Sequence, residues 1–333
     1  MRRCNLFLPL LIVVLNCADG PPPPPDEPAA APPILLVSQK AVKSIAWYTL
    51  GGEKLDEVVV SHHPHEIVHK GDRLYVTDNG VMQIENAGEG GNKVSVVDLT
   101  ARERIAEVDL GEYYRPHGIS VCGDGTLLVT TENPDQLLIA DIGTHTVSKT
   151  YPTGGETPHI VTCSSDSRFA YVSNARSRTV AKIELASGAT ELLETGDRPE
   201  GQCISRDGTR LFVAHRNGDK LAILDTVEWK VLREIPTGAG PVRCGLNGDE
   251  SIISYGMVGD EAIGFANIAE GVELGQIKLS GPAVSLEMHG DDTALTCAQD
   301  AGVCYVVSVS EQRIRHEVTV AEGAGPDPAL LLE

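Results

Sequence analysis

The sequence predicts an all-β protein, a seven-bladed β-propeller of four-stranded antiparallel blades. Two observations carry the expectation. The first is a recurring segment: an opening proline, a short strand of alternating apolar residues, a tight turn and a second strand. Its clearest copy spans 115–133, with others at 158–174 and 199–215 and a weaker one at 241–257. The second is the period. Pro64, Pro116, Pro158, Pro199, Pro241, Pro282 and Pro326 open the units, and most of them stand 41 or 42 residues apart. A repeat of about 40–45 residues with four strands per unit is the spacing of propeller blades.

The ends of the chain then explain each other. Strands are expected at 34–38, 44–50 and 54–60, ahead of the first opening proline and without an inner strand. After Pro326 the chain supplies a single strand, 329–332. Three strands and one make a composite blade, which brings six complete units to seven and leaves no open sheet edge. Each unit alone is too short to bury its apolar face, and stacking against neighbours solves that.

Within a unit the elements follow from local chemistry. In unit two the strands are expected at 117–122, 127–132, 136–141 and 146–150, with Asp124-Gly125 turning the first hairpin. Asp141 closes the third strand and opens a turn at Ile142-Gly143, as Asp98 and Asp225 do in their units. Units three to six repeat the layout. Unit one is longer because residues 80–91, rich in Gly, Asn and Glu, are inserted between its second and third strands.

Composition narrows the compartment and the partners. Apolar residues make up 41% of the chain and aromatics only 4%, so Val, Ile, Leu and Ala must build the core. The formal charge is -20, a surface that repels phosphate backbones, so no nucleic-acid partner is expected. Arg2 and Arg3 precede an apolar run, 6–15, that is too short to span a bilayer and reads as an export signal. Val14-Leu15-Asn16-Cys17 resembles a bacterial lipobox, with Asn16 where a small residue usually stands. The resemblance implies lipidation of Cys17; the alternative is an ordinary cleaved signal. A proline-dominated spacer follows, so the expected organisation is a lipoprotein-type signal at 1–17, a linker at 18–33 and the propeller at 34–333. The localisation this implies is the bacterial cell envelope, as a periplasmic or outer-membrane lipoprotein, or secretion, with the chain a monomer that meets membrane only through its anchor.

Six cysteines lie in the propeller. Cys297 and Cys304 flank a hairpin loop and form the disulfide candidate. Cys122, Cys163, Cys203 and Cys244 fall one per repeat on inner strands and read mostly as small buried apolar residues, their pairing left open.

Arg73-Leu74-Tyr75-Val76-Thr77-Asp78-Asn79 and Ala170-Tyr171-Val172-Ser173-Asn174 resemble the box that names the YVTN-repeat β-propellers. Val94-Ser95-Val96-Val97-Asp98 and Ala222-Ile223-Leu224-Asp225 are similar to its third-strand phrase. The resemblance covers about 34–333 and implies the fold and a mostly extracytoplasmic location. It implies little about activity, since such propellers serve as binding platforms, surface proteins and, in some relatives, enzymes.

Candidate site residues come from the ring geometry. The residue after each opening proline should stand at the channel mouth, with the last residue of the second strand beside it. This gives His65 and Asp78, His117 and Glu132, His159 and Asn174, Glu200 and His215, then Val242 and Met257, Ala283 and Gln299, and Asp327 with Gln39. Imidazoles and carboxylates gather on blades one to four, which structural need alone does not ask for. His65, His117, His159 and Glu200 are the expected ligands of a divalent metal ion, the one cofactor considered. Glu132 and Glu200 are the candidate catalytic groups. The insertion 80–91 should lie over this mouth as a lid, while His62 and His63 read as surface residues.

The expected function is binding of a small molecule or a protein at the channel mouth. One alternative is a metal-assisted hydrolase or lactonase-type enzyme at the same mouth. The other is a surface scaffold with no small-molecule site, the histidines then capping turns.

Overall fold

The computed structural model describes residues 32–82 and 86–333. The expected signal segment 1–17 with Cys17, and nearly all of the expected linker 18–33, lie outside the described residues. Seven four-stranded antiparallel sheets form the propeller. The composite blade pairs Pro326–Leu332 with Ile34–Gln39, followed outward by Ser44–Thr49 and Lys54–Val59. Leu35 faces Leu331 and Leu36 faces Leu330 across the closing pair.

The two middle strands of each blade are continuous apolar runs because neighbouring blades cover both faces. Leu127, Leu128 and Val129 of blade two, and Val172 and Ala181 of blade three, are fully buried. The core is a chain of apolar clusters, each built across a blade interface, such as the one joining Leu128 and Leu137 to Val161 and Val172. The outer strands alternate or lie open, with Val59 and Val227 among the most exposed apolar residues at the rim. Among the described residues no helix is long and apolar enough to cross a membrane.

The expected Cys297–Cys304 disulfide is present, whereas Cys122 and Cys163 depart from their reading as small apolar fillers. Cys122 and Cys163 form a disulfide joining the inner strands of blades two and three, and Cys297 and Cys304 are bridged within blade six. Cys203 and Cys244 are free. Spacing alone did not reveal the inter-blade bridge, because it depends on which face each strand turns to its neighbour.

Candidate metal centre

Five of the seven inner strands start at their proline, that of blade two starts two residues earlier and that of blade six five residues later, and in blades one to four a register shift follows the proline directly. It falls between Pro64 and Ile67, Pro116 and Ile119, Pro158 and Val161, and Pro199 and Gln202. Such bulges re-aim side chains. The residue after the proline is thereby turned toward the axis. A cavity of about 170 Å³ at this mouth collects His65, His117, His159, Glu200, Val242 and Asp327 from six inner strands.

The bulges are held from the preceding blade. Thr77 Oγ1 donates to the His117 carbonyl at 2.9 Å, and Thr130 Oγ1 donates to the His159 carbonyl at 2.6 Å. The threonine of the Tyr-Val-Thr box therefore positions the next blade's histidine. The strands come very close: a Cβ on Gly118 would stand 2.3 Å from the His159 carbonyl oxygen and 2.8 Å from the Ile160 Cα. Gly118→Ala is accordingly expected to push blades two and three apart at the mouth, costing about 1–3 kcal/mol in urea unfolding. It should also weaken ligand or metal binding there. An unchanged unfolding midpoint would show that the strands relax freely.

The three imidazoles form an arc of neighbouring rings tilted about 41° and 43° to one another. His65 and His117 lie 4.1 Å apart between ring centroids, and His117 and His159 lie 3.8 Å apart. All three are buried. His117 Nδ1 lies 2.7 Å from Glu132 Oε1, while Arg115 Nε lies 3.0 Å from Glu132 Oε2. The carboxylate accepts only, so Nδ1 carries a proton, and in the neutral ring that leaves the lone pair on Nε2. A carboxylate behind a histidine is how metal-binding imidazoles are oriented. His117 Nε2, His65 Nδ1, His159 Nδ1 and Asp327 Oδ1 are all buried without a hydrogen-bond partner.

Burial, with Lys40 the next cause for His65 and His117 the next for His159, holds both imidazoles well below their ordinary range. They are therefore neutral at neutral pH, the ligand form. Burial also pushes Asp327 up to about 6, against the pull of Lys40 3.7 Å away. Lys40 is itself lowered by desolvation.

The donors that converge are His65, Glu66 and His117, whose ligand atoms lie within 4.8 Å of one another. This differs from the expected set of His65, His117, His159 and Glu200. His159 stands behind His117 in the arc. The Glu200 carboxylate is turned to Arg198 Nε at 2.5 Å and to Arg216 at 3.4 Å. Glu66 went unnoticed in the sequence, yet a signal was there. Two residues past the proline, blades two to four carry Gly118, Ile160 and Gly201, whereas blades one and five carry Glu66 and Arg243. These two buried side chains form an ion pair across the channel. Arg243 also donates to the Val242 carbonyl at 2.9 Å.

Asp78, Asn174 and His215 do not join the cavity. Each pairs with its blade's opening proline. The second strand, however, lies one row out from the axis and turns its side chains into the blade interior. Asp78 accepts from Ser95 at 2.7 Å, Asn174 donates to Thr179 at 3.3 Å, and His215 Nε2 lies 2.9 Å from Thr195 Oγ1. Burial pushes Asp78 up to about 7 and His215 down to about 4. Gln39 is bonded to Ser44 and Tyr48, and Met257 joins the core. Glu132 reaches His117 because it lies one residue beyond Thr131, the partner of Pro116. Gln299 also lines the cavity, 3.5 Å from Asp327. From the insertion Met82 lines it too, and the Asn86 carbonyl accepts from Arg115 at 3.3 Å. Residues 83–85 lie outside the described residues. His62 and His63 are half-buried rather than surface groups, with His63 Nδ1 2.7 Å from the Lys40 carbonyl.

No protein-family model matches this chain, and no curated protein matches it. The fold is shared with solved structures. A functionally unknown protein from Desulfotomaculum acetoxidans matches with a TM-score of 0.73 at 14% identity, over 90% of this chain and 99% of that one. A hydrazine synthase chain from Kuenenia stuttgartiensis matches with a TM-score of 0.66 at 16% identity, over 86% and 92%. The dihydro-heme d1 dehydrogenase NirN, solved in complex with DHE, matches with a TM-score of 0.64 at 15% identity. That match covers 91% of this chain and 66% of NirN. At these identities the likeness concerns fold alone.

Below the Glu66–Arg243 pair the channel widens into a second cavity of about 440 Å³, which Glu287 lines. Burial, reinforced by Glu66, pushes Glu287 up to about 8. The folded chain therefore keeps a proton that the unfolded chain releases near the ordinary carboxyl value. This contribution is full at acid pH and is lost as pH rises through about 8. The depressed His65 and His159 act oppositely: the unfolded chain binds their protons first, so stability falls as pH drops below about 6.5. Glu287→Gln should flatten the alkaline limb of the melting temperature between pH 5 and pH 9 and leave the acid limb unchanged. Parallel alkaline limbs in both proteins would refute this account.

Proposed function

We propose that the protein is an exported, lipid-anchored binding propeller of YVTN type. In this reading the channel mouth holds a divalent transition-metal ion on His65, Glu66 and His117 and takes a small anionic ligand beside it. One observation carries the reading: several buried imidazole nitrogens at one cavity have no partner, and one of those rings is already oriented by a carboxylate. Nitrogen and carboxylate donors suit Zn²⁺ and its neighbours. Lys40, Arg216 and Arg243 line the cavity together with Glu200 and Asp327, Lys40 beside Asp327 and Arg216 beside Glu200. Three cationic side chains face two carboxylates there, and a bound dication would add to the positive side, which favours a carboxylate or similar anion. NirN, which shares the fold, was solved in complex with DHE, which supports a propeller chain as a ligand binder and does not choose the ligand.

Binding is favoured over hydrolysis because Glu132 and Glu200 are each held by arginine and are poorly placed to take a proton. A metal-assisted hydrolase is supported by a different carboxylate. Asp327 has an unpartnered oxygen and titrates close to neutrality, as a general base requires. The test is metal analysis of the chain after exposure to Zn²⁺ or Co²⁺ and desalting. One ion per chain, with a Co²⁺ spectrum typical of nitrogen and oxygen ligands, is expected. Absence of a retained ion and of any ion-dependent rise in melting temperature would sink the reading. Release of the chain from membranes by Cys17→Ala tests the anchor separately.

A further inference from the structure

The free pair Cys203 and Cys244 lies on the inner strands of blades four and five, Pro199–Ile204 and Pro241–Leu246. Their sulfurs stand 3.1 Å apart, inside the roughly 3.5–4.0 Å at which nonbonded heavy atoms rest. A second observation comes from the repeat. Cys122 and Cys163, already bridged, are separated by 41 residues, and so are Cys203 and Cys244. The prolines opening these blade pairs are 42 residues apart in both cases, Pro116 to Pro158 and Pro199 to Pro241. A spacing one short of the repeat matters. Blades stack face to face, and successive residues of a strand point to opposite faces. The second cysteine, one step back, therefore points toward the first. The free pair shares the 41-residue stagger of the bridged pair and brings its sulfurs to 3.1 Å.

We propose that Cys203 and Cys244 form a second inter-blade disulfide, installed on the folded protein by exchange with a disulfide-bearing donor that enters the lower cavity. Both cysteines line that cavity, and Cys203 is only half-buried. The Cys203 thiolate attacks the donor disulfide, forming a mixed disulfide and expelling one donor thiolate. The Cys244 thiolate then attacks the Cys203 sulfur and expels the second. The cysteines lose two electrons and two protons, and one donor disulfide becomes two thiols. Burial pushes the Cys203 thiol well above its ordinary range, so exchange is faster at alkaline pH.

The experiment uses the full chain and oxidised glutathione as the donor. After incubation at pH 7 and pH 8.5, free thiols are alkylated in denaturant, and the unreduced protein is digested and mapped by mass spectrometry. The expected result is a cross-linked peptide pair containing Cys203 and Cys244, formed faster at the higher pH and split by reductant. Cys203→Ser should leave Cys244 fully alkylated and Cys122–Cys163 intact. Oxidised wild type should melt several degrees above the protein in which this bridge alone is open. Three results would overturn the proposal. They are both thiols alkylated while Cys122–Cys163 stays bridged, glutathione adducts that never resolve to a cross-link, and a soft metal ion held between the two sulfurs.

Discussion

Replacing His117 by alanine is expected to weaken Zn²⁺ binding by well over 100-fold, the largest effect any single substitution at the mouth should have. His117 supplies a bare Nε2 and connects the other two rings in the arc. Glu132→Gln leaves that nitrogen in place but replaces the carboxylate that orients the ring. The loss of such supporting groups typically costs about 10–100-fold in metal affinity. His159→Ala should matter less, because His159 lies outside the convergent set. Calorimetric titration of the four proteins tests the ranking. A stronger effect from His159→Ala than from His117→Ala would move the centre one blade along.

Arg243→Met should produce the largest loss of stability. It leaves Glu66 charged in a buried channel with its ion-pair partner gone, and breaking a buried pair in this way costs about 3–5 kcal/mol. Combining it with Glu66→Gln should restore much of the loss, because a neutral pair carries no stranded charge. Urea unfolding of both single variants and the double variant measures the coupling. If the single losses simply add, the two side chains do not depend on each other.

The architecture was legible because it rests on periodicity. Prolines near every forty-second residue and alternating apolar strands are properties of the line of sequence, and the composite blade followed from counting strands at the two ends. The residue after each proline was legible at the mouth for the same reason: the proline recurs at the head of each repeat. The companion positions were not. Asp78, Asn174 and His215 sit at the end of the second strand, and only the folded blades show that Ser95, Thr179 and Thr195 take up their side chains away from the cavity. Glu66 and Arg243 were hidden differently. They are 177 residues apart, and no local pattern links blades one and five across an axis. Comparing equivalent positions for charge, rather than for similarity, would have exposed them.

The closing strand carries Asp327 as well as the ring's final hydrogen bonds. Fastening the circle and delivering that carboxylate to the histidines are therefore a single event in assembly. Residues 326–332 complete the mouth, so a chain made only as far as residue 325 presents no finished site. A protease cut just ahead of Pro326 would unfasten the barrel of blades and disarm its entrance together.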